Sequence, residues 1–327
     1  IEDQYLSAIK KYFNNINFDM VMYSTPPITF NKILKYYKKK HNSKTYLILK
    51  DIFPQNAVDI GVMKKGSLIW KYFRNKEINL YKNSDIIGCM SQGNVEYILK
   101  HNPYINKNKV EVFPNAIKPI ERIEDRKKNE KILEKYNIPQ DSILFVYGGN
   151  LGKPQGIDFL LEVVDNFYKI EKGYLLIIGS GTEYDRIKEH IENTNPKKVS
   201  LFNRLPKEEY DKLVKLADVG LIFLDRRFTI PNFPSRLTSY MENSLPILAA
   251  TDKNTDLKDV LIESKSGFWC ESGDIDKFIK YAQKLSEDDD LRNSMGLNSR
   301  LYLEENYDIT KTVDILLKHL YGDESYV

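Results

Sequence analysis

The stretch "ILFVYGGNLGKPQGIDFLLEVV" (residues 143–164) joins an apolar strand, a glycine-rich loop and a helix without a break. From Ile157 onward the apolar residues recur at the three- and four-residue spacing of a helix that packs on one face. The loop contains four glycines and a lysine. Such a loop would let a phosphate approach the backbone closely, but it would suit a tight turn between strand and helix equally well.

The same alternation of strand and helix runs along almost the whole chain. Strands are predicted at residues 19–23, 45–49, 85–89, 110–113, 142–147, 174–178, 199–202, 219–224, 246–249 and 267–270. Helices are predicted at residues 27–40, 67–82, 92–101, 155–170, 182–193, 206–216, 234–243 and 273–285, with two more after residue 289. Alternation at these lengths gives parallel sheets covered by helices on both faces. We therefore predict an α/β fold with two Rossmann-like domains whose parallel sheets face each other across a cleft.

A charged stretch, residues 121–135, separates the two series and is predicted to be the linker between domains. Residues 1–120 would then form the N-terminal domain and residues 136–305 the C-terminal domain. Residues 306–327 are predicted to form a terminal helix that could cross back to the first domain.

The charge is distributed unevenly between the two parts. Residues 1–120 hold 19 Lys and Arg against 9 Asp and Glu, whereas the remainder holds 30 against 37. A basic first part suggests an anionic partner, for which nucleic acid, an anionic membrane surface and a phosphorylated lipid are candidates. The two cysteines, Cys89 and Cys270, show no disulfide or metal-site spacing, which fits a cytoplasmic protein.

Two further strand ends in the second part carry candidate binding residues. Gly179 and Gly181 follow a strand but lack the third glycine of a dinucleotide-binding motif, so a plain turn explains them as well. Pro234 and Ser235 predict a helix start, whose free N–H groups and dipole attract an anion. Arg236 in that first turn opposes the dipole, which a phosphate between them would explain; an arginine reaching into solvent is the alternative.

Taken in order, these segments resemble the GT-B glycosyltransferases of the large family 4. The resemblance rests on "VFPNAI" (112–117), "GGNLGKPQGIDFLL" (148–161), "LLIIGSGTEYDRI" (175–187), "VSLFNRLPKEEYDKLVKLADVGLIFL" (199–224) and "FPSRLTSYMENSLPILA" (233–249). It implies the GT-B fold and a nucleotide diphospho-sugar donor, by first choice a UDP-sugar, held mainly by the second domain. The reaction would proceed with retention and would need neither a metal nor a cofactor.

The resemblance also implies which residues bind the donor. The diphosphate would lie near residues of the glycine-rich loop and of the turns that follow other strands, namely Gly149, Asn150, Lys153, Gly181, Pro234, Ser235 and Arg236. The base would lie near Arg204 and Leu205. Ser239 stands where members of the family carry a glutamate for the donor ribose. Asn150 and Gln155 stand where many members carry arginine and lysine, and Lys153 and Arg236 would supply that charge.

The first domain is expected to bind the acceptor, a lipid-linked saccharide or another glycan. Asp51 would orient the acceptor hydroxyl and Lys50 would meet an acceptor phosphate, although a strand-end cap and a surface lysine are equally good explanations. Residues 32–44 and 68–82 mix aromatic and basic side chains, which suits a peripheral contact with the inner face of the cell membrane. No nucleic-acid motif is present, so nucleic acid is not an expected partner.

The resulting prediction is a cytoplasmic, membrane-peripheral glycosyltransferase of surface polysaccharide assembly. Family members begin with one or two strands before the equivalent of Tyr23, so about 50–80 residues are expected to precede Ile1 in the natural protein. Two alternatives remain at this point. One is a sugar-nucleotide epimerase of the same fold, and the other is a non-catalytic glycosyltransferase-like partner subunit.

Overall fold

A computed structural model describes residues 2–122 and 129–322. The chain forms two compact units. The first contains Ile1–Ala116, Phe228–Phe233 and the C-terminal residues from Ile309, and the second contains Ile117–Arg227 and Pro234–Asp308.

The division differs from the predicted one in two places. The stretch predicted as a linker, residues 121–135, lies in the second unit, where Glu130–Lys135 forms a helix; residues 123–128 are outside the described ranges. Phe228–Phe233, which we predicted to be in the C-terminal domain, belongs to the first unit.

The first 116 residues contain four strands and five helices within the described range. In chain order they are α1 (Glu2–Tyr12), β1 (Met20–Ser24), α2 (Asn31–His41), β2 (Lys44–Leu49), α3 (Gln55–Asp59), α4 (Leu68–Asn83), β3 (Ile86–Cys89), α5 (Gln92–His101) and β4 (Val110–Val112). The strands pair in parallel in the order β1-β2-β3-β4. Helix α2 starts at Asn31 rather than in the predicted region of Pro27, because the chain after β1 stays bound to the neighbouring strand through the Thr25 N–H and the Ile48 carbonyl (3.1 Å).

The remaining elements complete the second unit and end with a helix of the first. They are α6 (Glu130–Lys135), β5 (Ile143–Asn150), α7 (Ile157–Asn166), β6 (Gly173–Ser180), α8 (Tyr184–Thr194), β7 (Val199–Phe202), α9 (Lys207–Leu216), β8 (Val219–Phe223), α10 (Arg236–Glu242), β9 (Ile247–Thr251), α11 (Leu257–Glu263), β10 (Gly267–Glu271), α12 (Ile275–Glu287), α13 (Asp289–Asn306) and α14 (Ile309–Tyr321). Short 3₁₀ turns lie at Lys107–Lys109, Lys153–Gln155 and Phe167–Lys169.

The second sheet reverses its winding at its centre. Its six described strands run in parallel in the order β10-β9-β8-β5-β6-β7, so the chain moves outward in one direction from β5 and in the other from β8. Ligands of open parallel sheets bind at such a reversal, beyond the carboxyl ends of the two strands. The four described strands of the first sheet follow each other in simple order and contain no reversal.

Each unit has its own apolar core. In the second unit β5, β6, β8 and β9 are apolar along almost their whole length and buried, as expected for strands covered on both faces, and Phe145, Phe159 and Phe223 are among the buried aromatic rings. In the first unit Tyr46 is fully buried and its hydroxyl donates to Glu111 Oε1 (2.8 Å). Helix α14 contributes Ile315 and Leu316 to that core.

Phe228–Phe233 is held in the first unit by polar contacts. Thr229 donates from its N–H to Asp59 Oδ2 (2.8 Å) and from its hydroxyl to Asp59 Oδ1 (2.9 Å), and Asn94 Nδ2 donates to the Pro231 carbonyl. Phe228 and Ile230 are buried. These contacts explain why six residues that follow β8 leave the second unit before the chain returns at Pro234.

Among the described helices, none has the length and apolarity that a membrane span requires. Within the same ranges, no three His, Cys, Asp or Glu side chains lie together in a way that could hold a metal ion.

Candidate functional site

The winding reversal of the second sheet brings two loops together, one after β5 and one after β8. The Asp225 N–H donates to the Pro154 carbonyl (3.0 Å) and so ties them to each other. Gly156 has a φ of +58°, and a Cβ there would lie 2.8 Å from the Leu224 carbonyl oxygen, so the approach requires glycine. The loops are thus fixed by the protein's own packing at the edge where a ligand would bind.

Arg236 lies at this edge, as the first residue of α10. Its guanidinium carbon is 4.3 Å from the centre of the Tyr147 ring, and its Nη2 donates to Gln155 Oε1 (2.6 Å). Nη1 is buried and makes no hydrogen bond within the described part of the chain. No Asp or Glu of the described residues forms an ion pair with Arg236, so its positive charge is held without a negative partner.

Three tyrosines surround the guanidinium without neutralising it. Burial raises the pKa of Tyr147, Tyr210 and Tyr240, so all three stay uncharged at neutral pH. The Tyr147 hydroxyl donates to the Asn150 carbonyl (3.0 Å), and the Tyr240 hydroxyl accepts from the Gly148 N–H (3.1 Å). Tyr147 and Tyr240 therefore fix the carboxyl end of β5, and the charge of Arg236 remains available for an anion.

Two of the predicted glycines have different reasons to be glycine. Gly149 has a φ of +132°, and a Cβ there would lie 3.3 Å from Arg236 Nη2, so it borders the guanidinium directly. A Cβ on Gly181 would lie 2.4 Å from the Leu151 carbonyl oxygen, so packing between two loops of the protein already excludes a side chain there. Close approach of a phosphate is therefore not needed to explain Gly181.

The other predicted donor residues lie around this edge. Asn150 ends β5 beside Ser180 of β6, and Lys153 is exposed on the 3₁₀ turn. Pro234 and Ser235 precede α10, which has seven residues and begins at Arg236 rather than at the predicted residue 234. Ser235 is exposed and its side chain makes no capping hydrogen bond.

Arg204 and Leu205 follow β7, which lies two strands from β5. Strands are about 4.8 Å apart in a sheet, so this segment lies roughly 10 Å from the loop after β5. Arg204 is exposed and Leu205 is half-buried. A ligand that reaches both places must be longer than a single phosphate.

Ser239 lies in α10 and is half-buried, and its carbonyl accepts from the Asn243 side chain (2.8 Å). Glu242, one turn further along, accepts a hydrogen bond from the Ile120 N–H at its Oε1 (3.1 Å). One oxygen of that carboxylate is therefore bound to the backbone of residue 120.

The two predicted acceptor-side residues are in the first unit, at the end of β2. Asp51 accepts from Asn56 Nδ2 (2.7 Å), and its N–H contacts the Thr25 hydroxyl (3.1 Å). Burial raises the pKa of Asp51, although the hydrogen bonds from Asn56 and the Ile52 backbone act in the opposite direction. Lys50 is exposed and forms no ion pair with a described residue.

Sequence reasoning missed the contribution of Tyr147, Gln155 and Tyr210. Gln155 was visible only as a departure from the family's pattern, and Tyr210 lies in a different helix, α9. A Cβ on Gly148 would lie 2.2 Å from the Tyr210 hydroxyl, so the two adjacent glycines of the loop are a signal that a bulky ring packs there.

The sequence of residues 128–302 matches the family model described as glycosyl transferases group 1. This match covers more than half of the chain. The chain belongs to this family. All of the predicted donor residues of this group 1 glycosyltransferase lie inside the matched range, and Lys50 and Asp51 lie outside it.

Relatives with curated names include two bacterial glycosyltransferases. The probable glycosyltransferase WbjE of Pseudomonas aeruginosa is 26% identical over 297 residues, which are 88% of this chain and 71% of WbjE. The capsular polysaccharide biosynthesis glycosyltransferase CapM of Staphylococcus aureus is 27% identical over 188 residues, 55% of this chain and 46% of CapM.

The fold of the group 1 glycosyltransferase matches solved GT-B structures. TarM of S. aureus, in a complex with fondaparinux, alpha-GlcNAc-glycerol and UDP, superposes with a TM-score of 0.72 at 16% identity. The match covers 97% of this chain and 59% of TarM, so this chain spans less than two thirds of that protein. At this identity the likeness establishes the α/β fold with two parallel sheets, as predicted.

Proposed function

We propose that this glycosyltransferase transfers a hexosyl or N-acetylhexosaminyl group from a nucleotide diphosphate donor, by first choice a UDP-sugar. The observation that carries the proposal is the guanidinium of Arg236, a positive charge without a carboxylate partner at the winding reversal of the second sheet. Burying a charge that has no partner is costly, and the cost is recovered when an anion binds beside it. We infer that the anion is a diphosphate, because the donors expected for this family carry one and because the carboxyl edge of a parallel sheet binds such groups. The UDP bound in TarM supports the choice of base.

The electrostatic role of Arg236 would be greatest in the transition state. As the bond to the sugar breaks, negative charge accumulates on the β-phosphate, and a cation held in a fixed position stabilises that charge without having to reorganise. Gln155 and Tyr147 would hold the guanidinium in that position. Lys153, which is exposed and near the same loop, would add a second and more mobile charge. We propose that no metal or other cofactor takes part and that the sugar is transferred with retention, as in family 4.

The rest of the donor would extend along the carboxyl edge of the sheet. The diphosphate would lie between Gly149 and Arg236, and the base would lie near Arg204 and Leu205. The separation of roughly 10 Å between these places suits a nucleotide diphosphate, whose base and terminal phosphate are several bonds apart. Ser239 would contact the ribose with its hydroxyl, where other members of the family have a glutamate carboxylate. Because a hydroxyl binds the ribose more weakly than a carboxylate does, we expect a modest affinity for the nucleoside.

The acceptor that we propose is a lipid-linked saccharide or another glycan of a surface polysaccharide. Asp51 would orient the acceptor hydroxyl, and Lys50 would bind an acceptor phosphate. The name of CapM, a capsular polysaccharide biosynthesis enzyme, supports this class of product. An acceptor attached to lipid would place the enzyme at the inner face of the cell membrane, which is the location that we propose.

A thermal-shift screen with UDP, GDP, ADP and CDP tests the donor proposal. A ligand present at about 100 times its dissociation constant stabilises the native state by about 2.7 kcal/mol, which is readily seen as a higher melting temperature. We expect UDP to give the largest shift. If no nucleotide changes the melting temperature at concentrations up to about 1 mM, the result would favour a non-catalytic partner subunit and overturn the proposal.

Product analysis separates a transferase from an epimerase. Incubation with UDP-sugars and no acceptor should release UDP slowly by hydrolysis and leave the sugar configuration unchanged. Interconversion of two UDP-sugars under these conditions would identify an epimerase instead. When an acceptor is added, NMR should show that the sugar in the product has the same anomeric configuration as in the donor. The reaction should also proceed in buffer that contains a chelator, because no metal is proposed to take part.

A further inference from the structure

The start of helix α4 presents an apolar surface to solvent. Leu68, Ile69 and Tyr72 are 84%, 62% and 56% exposed, and Val62 in the preceding turn is 64% exposed. Positions 68, 69 and 72 are spaced one, three and four residues apart, so their side chains share one face of the helix. The buried residues of α4 lie in its second half, at Glu77, Leu80 and Tyr81. We name Val62, Leu68, Ile69 and Tyr72 the α4 patch.

Lysines accompany the α4 patch in the sequence, and acidic residues are absent from this stretch. Residues 60–76 contain Lys64, Lys65, Lys71, Arg74 and Lys76 and no Asp or Glu. Arg74 is paired with Glu77, but none of the four lysines forms an ion pair with a described residue. Lys76 Nζ lies 5.4 Å from the Tyr72 ring centre, so the cation and the aromatic ring are adjacent at the edge of the patch.

The sequence also suggested a membrane contact for residues 32–44. Side chains of this segment instead make contacts within the first unit. In α2 the side chains of Ile33, Leu34 and Tyr37 are buried. Lys38 binds Asp85 (2.5 Å) and Lys32 binds Asp3 (2.6 Å). The apolar face of α2 is therefore buried and two of its lysines are paired with carboxylates, whereas the apolar residues of the α4 patch are exposed.

We propose that the α4 patch is the surface through which this enzyme binds an anionic lipid bilayer. The exposed aliphatic side chains would enter the interface, Tyr72 would lie at the level of the headgroups, and the lysines would bind lipid phosphates. A neutral protein surface would satisfy the apolar residues only, and a second copy of the same patch would bring like charges together. This inference rests on the membrane location proposed above and names the contact that produces it.

Vesicle co-sedimentation tests the α4 patch. The full chain is mixed with vesicles of phosphatidylcholine alone or of phosphatidylcholine with phosphatidylglycerol, and the bound fraction is measured at low and high salt. We expect binding only to the vesicles that contain phosphatidylglycerol, and weaker binding at high salt. No binding to the anionic vesicles, or equal binding to both kinds, overturns the proposal.

Two sets of variants separate the apolar and the basic contributions. The double variant Leu68→Ser/Ile69→Ser and the triple variant Lys64→Gln/Lys65→Gln/Lys71→Gln should each reduce the partition coefficient strongly, the triple variant by about fivefold for each lysine removed. All five substituted positions are solvent-exposed, so the melting temperature should be unchanged.

Matched controls come from exposed positions of the second unit. Ile262 and Leu297 are 68% and 50% exposed, and the double variant Ile262→Ser/Leu297→Ser should bind vesicles like the wild type. The same is expected of Lys172→Gln/Lys215→Gln/Lys280→Gln, which removes three exposed lysines elsewhere. Equal losses in the control and patch variants would mean that net charge or general hydrophobicity drives binding, and would contradict the α4 patch.

Two further measurements make the result specific. UDP binding by the patch variants should equal that of the wild type, so a failure of the membrane proposal can be told apart from a failure of the proposed donor site. Sedimentation equilibrium should show the same mass for wild type and Leu68→Ser/Ile69→Ser. A wild-type dimer that this variant converts to a monomer would assign the patch to a second copy of the chain and overturn the lipid proposal.

Discussion

Replacing Arg236 by leucine removes the guanidinium and keeps a side chain of moderate size. If Arg236 binds the donor diphosphate, the variant loses at least one hydrogen bond between a charged donor and a phosphate oxygen, which is worth about 1.5–3 kcal/mol. Because 1.4 kcal/mol is a factor of ten in a dissociation constant, the Kd for UDP should rise by about 10- to 150-fold. Isothermal titration calorimetry with UDP measures this change directly.

The stability of the same variant should change little, for reasons visible in the contacts of Arg236. The variant loses the hydrogen bond to Gln155 and the stacking on Tyr147, together about 2–5 kcal/mol. It also relieves the cost of leaving Nη1 buried without a hydrogen-bond partner, which is about 1–3 kcal/mol or more for a charged group and acts in the opposite direction. The two effects nearly cancel, so we expect the melting temperature to stay within a few degrees of the wild type.

Arg122→Leu is the matched control for Arg236→Leu. Arg122 is in the same unit, but its charge is compensated by Glu304 and its side chain is 43% exposed. The control should leave the Kd for UDP unchanged. The reasoning is refuted if Arg236→Leu binds UDP as tightly as the wild type. A fall of the melting temperature by about 10 °C or more would show instead that Arg236 is part of the structural core.

Three further predictions concern other residues. Gln155→Glu gives Arg236 a carboxylate partner, so it should raise the melting temperature and weaken UDP binding; a tighter complex would contradict this. Asp51→Asn should lower kcat by about 10²-fold or more. Burial raises the pKa of Asp51, so wild-type activity should fall as the pH drops through that raised value. The variant should lack this pH dependence. The pKa of Glu304 is lowered to about 2, chiefly by the hydrogen bond from Arg122 and also by Arg300. The ionised carboxylate therefore stabilises the folded state fully above the ordinary pKa of 4.5, and this stabilisation is lost as the pH falls towards 2. Urea unfolding should therefore show Glu304→Gln to be less stable than the wild type at pH 7 and the difference to shrink at pH 3; a difference that grows in acid would refute the assignment.

The elements of the sheets could be predicted from the sequence because each is specified locally. All ten strands within residues 2–122 and 129–322 lie where runs of apolar residues occur, and the longer helices follow the spacing of their apolar residues. Short helices such as α3 and α11, with five and seven residues, were missed because so few positions define no period. The start of α2 was placed too early because a pair of prolines suits either a first helical turn or an extended segment.

The arrangement of the site could be predicted only in part, because it depends on contacts between distant residues. Arg236 and Gly149 were identified from local patterns, yet their proximity follows from the position of β8 beside β5. That Gln155 and Tyr147 hold the guanidinium requires the three-dimensional path of the loop. The placement of Phe228–Phe233 in the first unit depends on Asp59 and Asn94, more than a hundred residues earlier, and no local pattern records such a contact.

The exposure of α4 could not be predicted from sequence patterns either. Residues 32–44 and 68–82 have the same mixture of aromatic and basic side chains. In α2 the side chains of Ile33, Leu34 and Tyr37 are buried, whereas Leu68, Ile69 and Tyr72 of α4 are exposed. Only the packing of the first unit distinguishes the two helices.

A crystal structure of the chain bound to UDP is the most direct test of the claim that Arg236 holds the donor diphosphate. The account predicts a β-phosphate oxygen about 3 Å from a nitrogen of the Arg236 guanidinium, with the diphosphate beside Gly149 at the carboxyl ends of β5 and β8. UDP bound with its phosphates elsewhere, while Arg236 keeps Gln155 and Tyr147 as its sole partners, would contradict it.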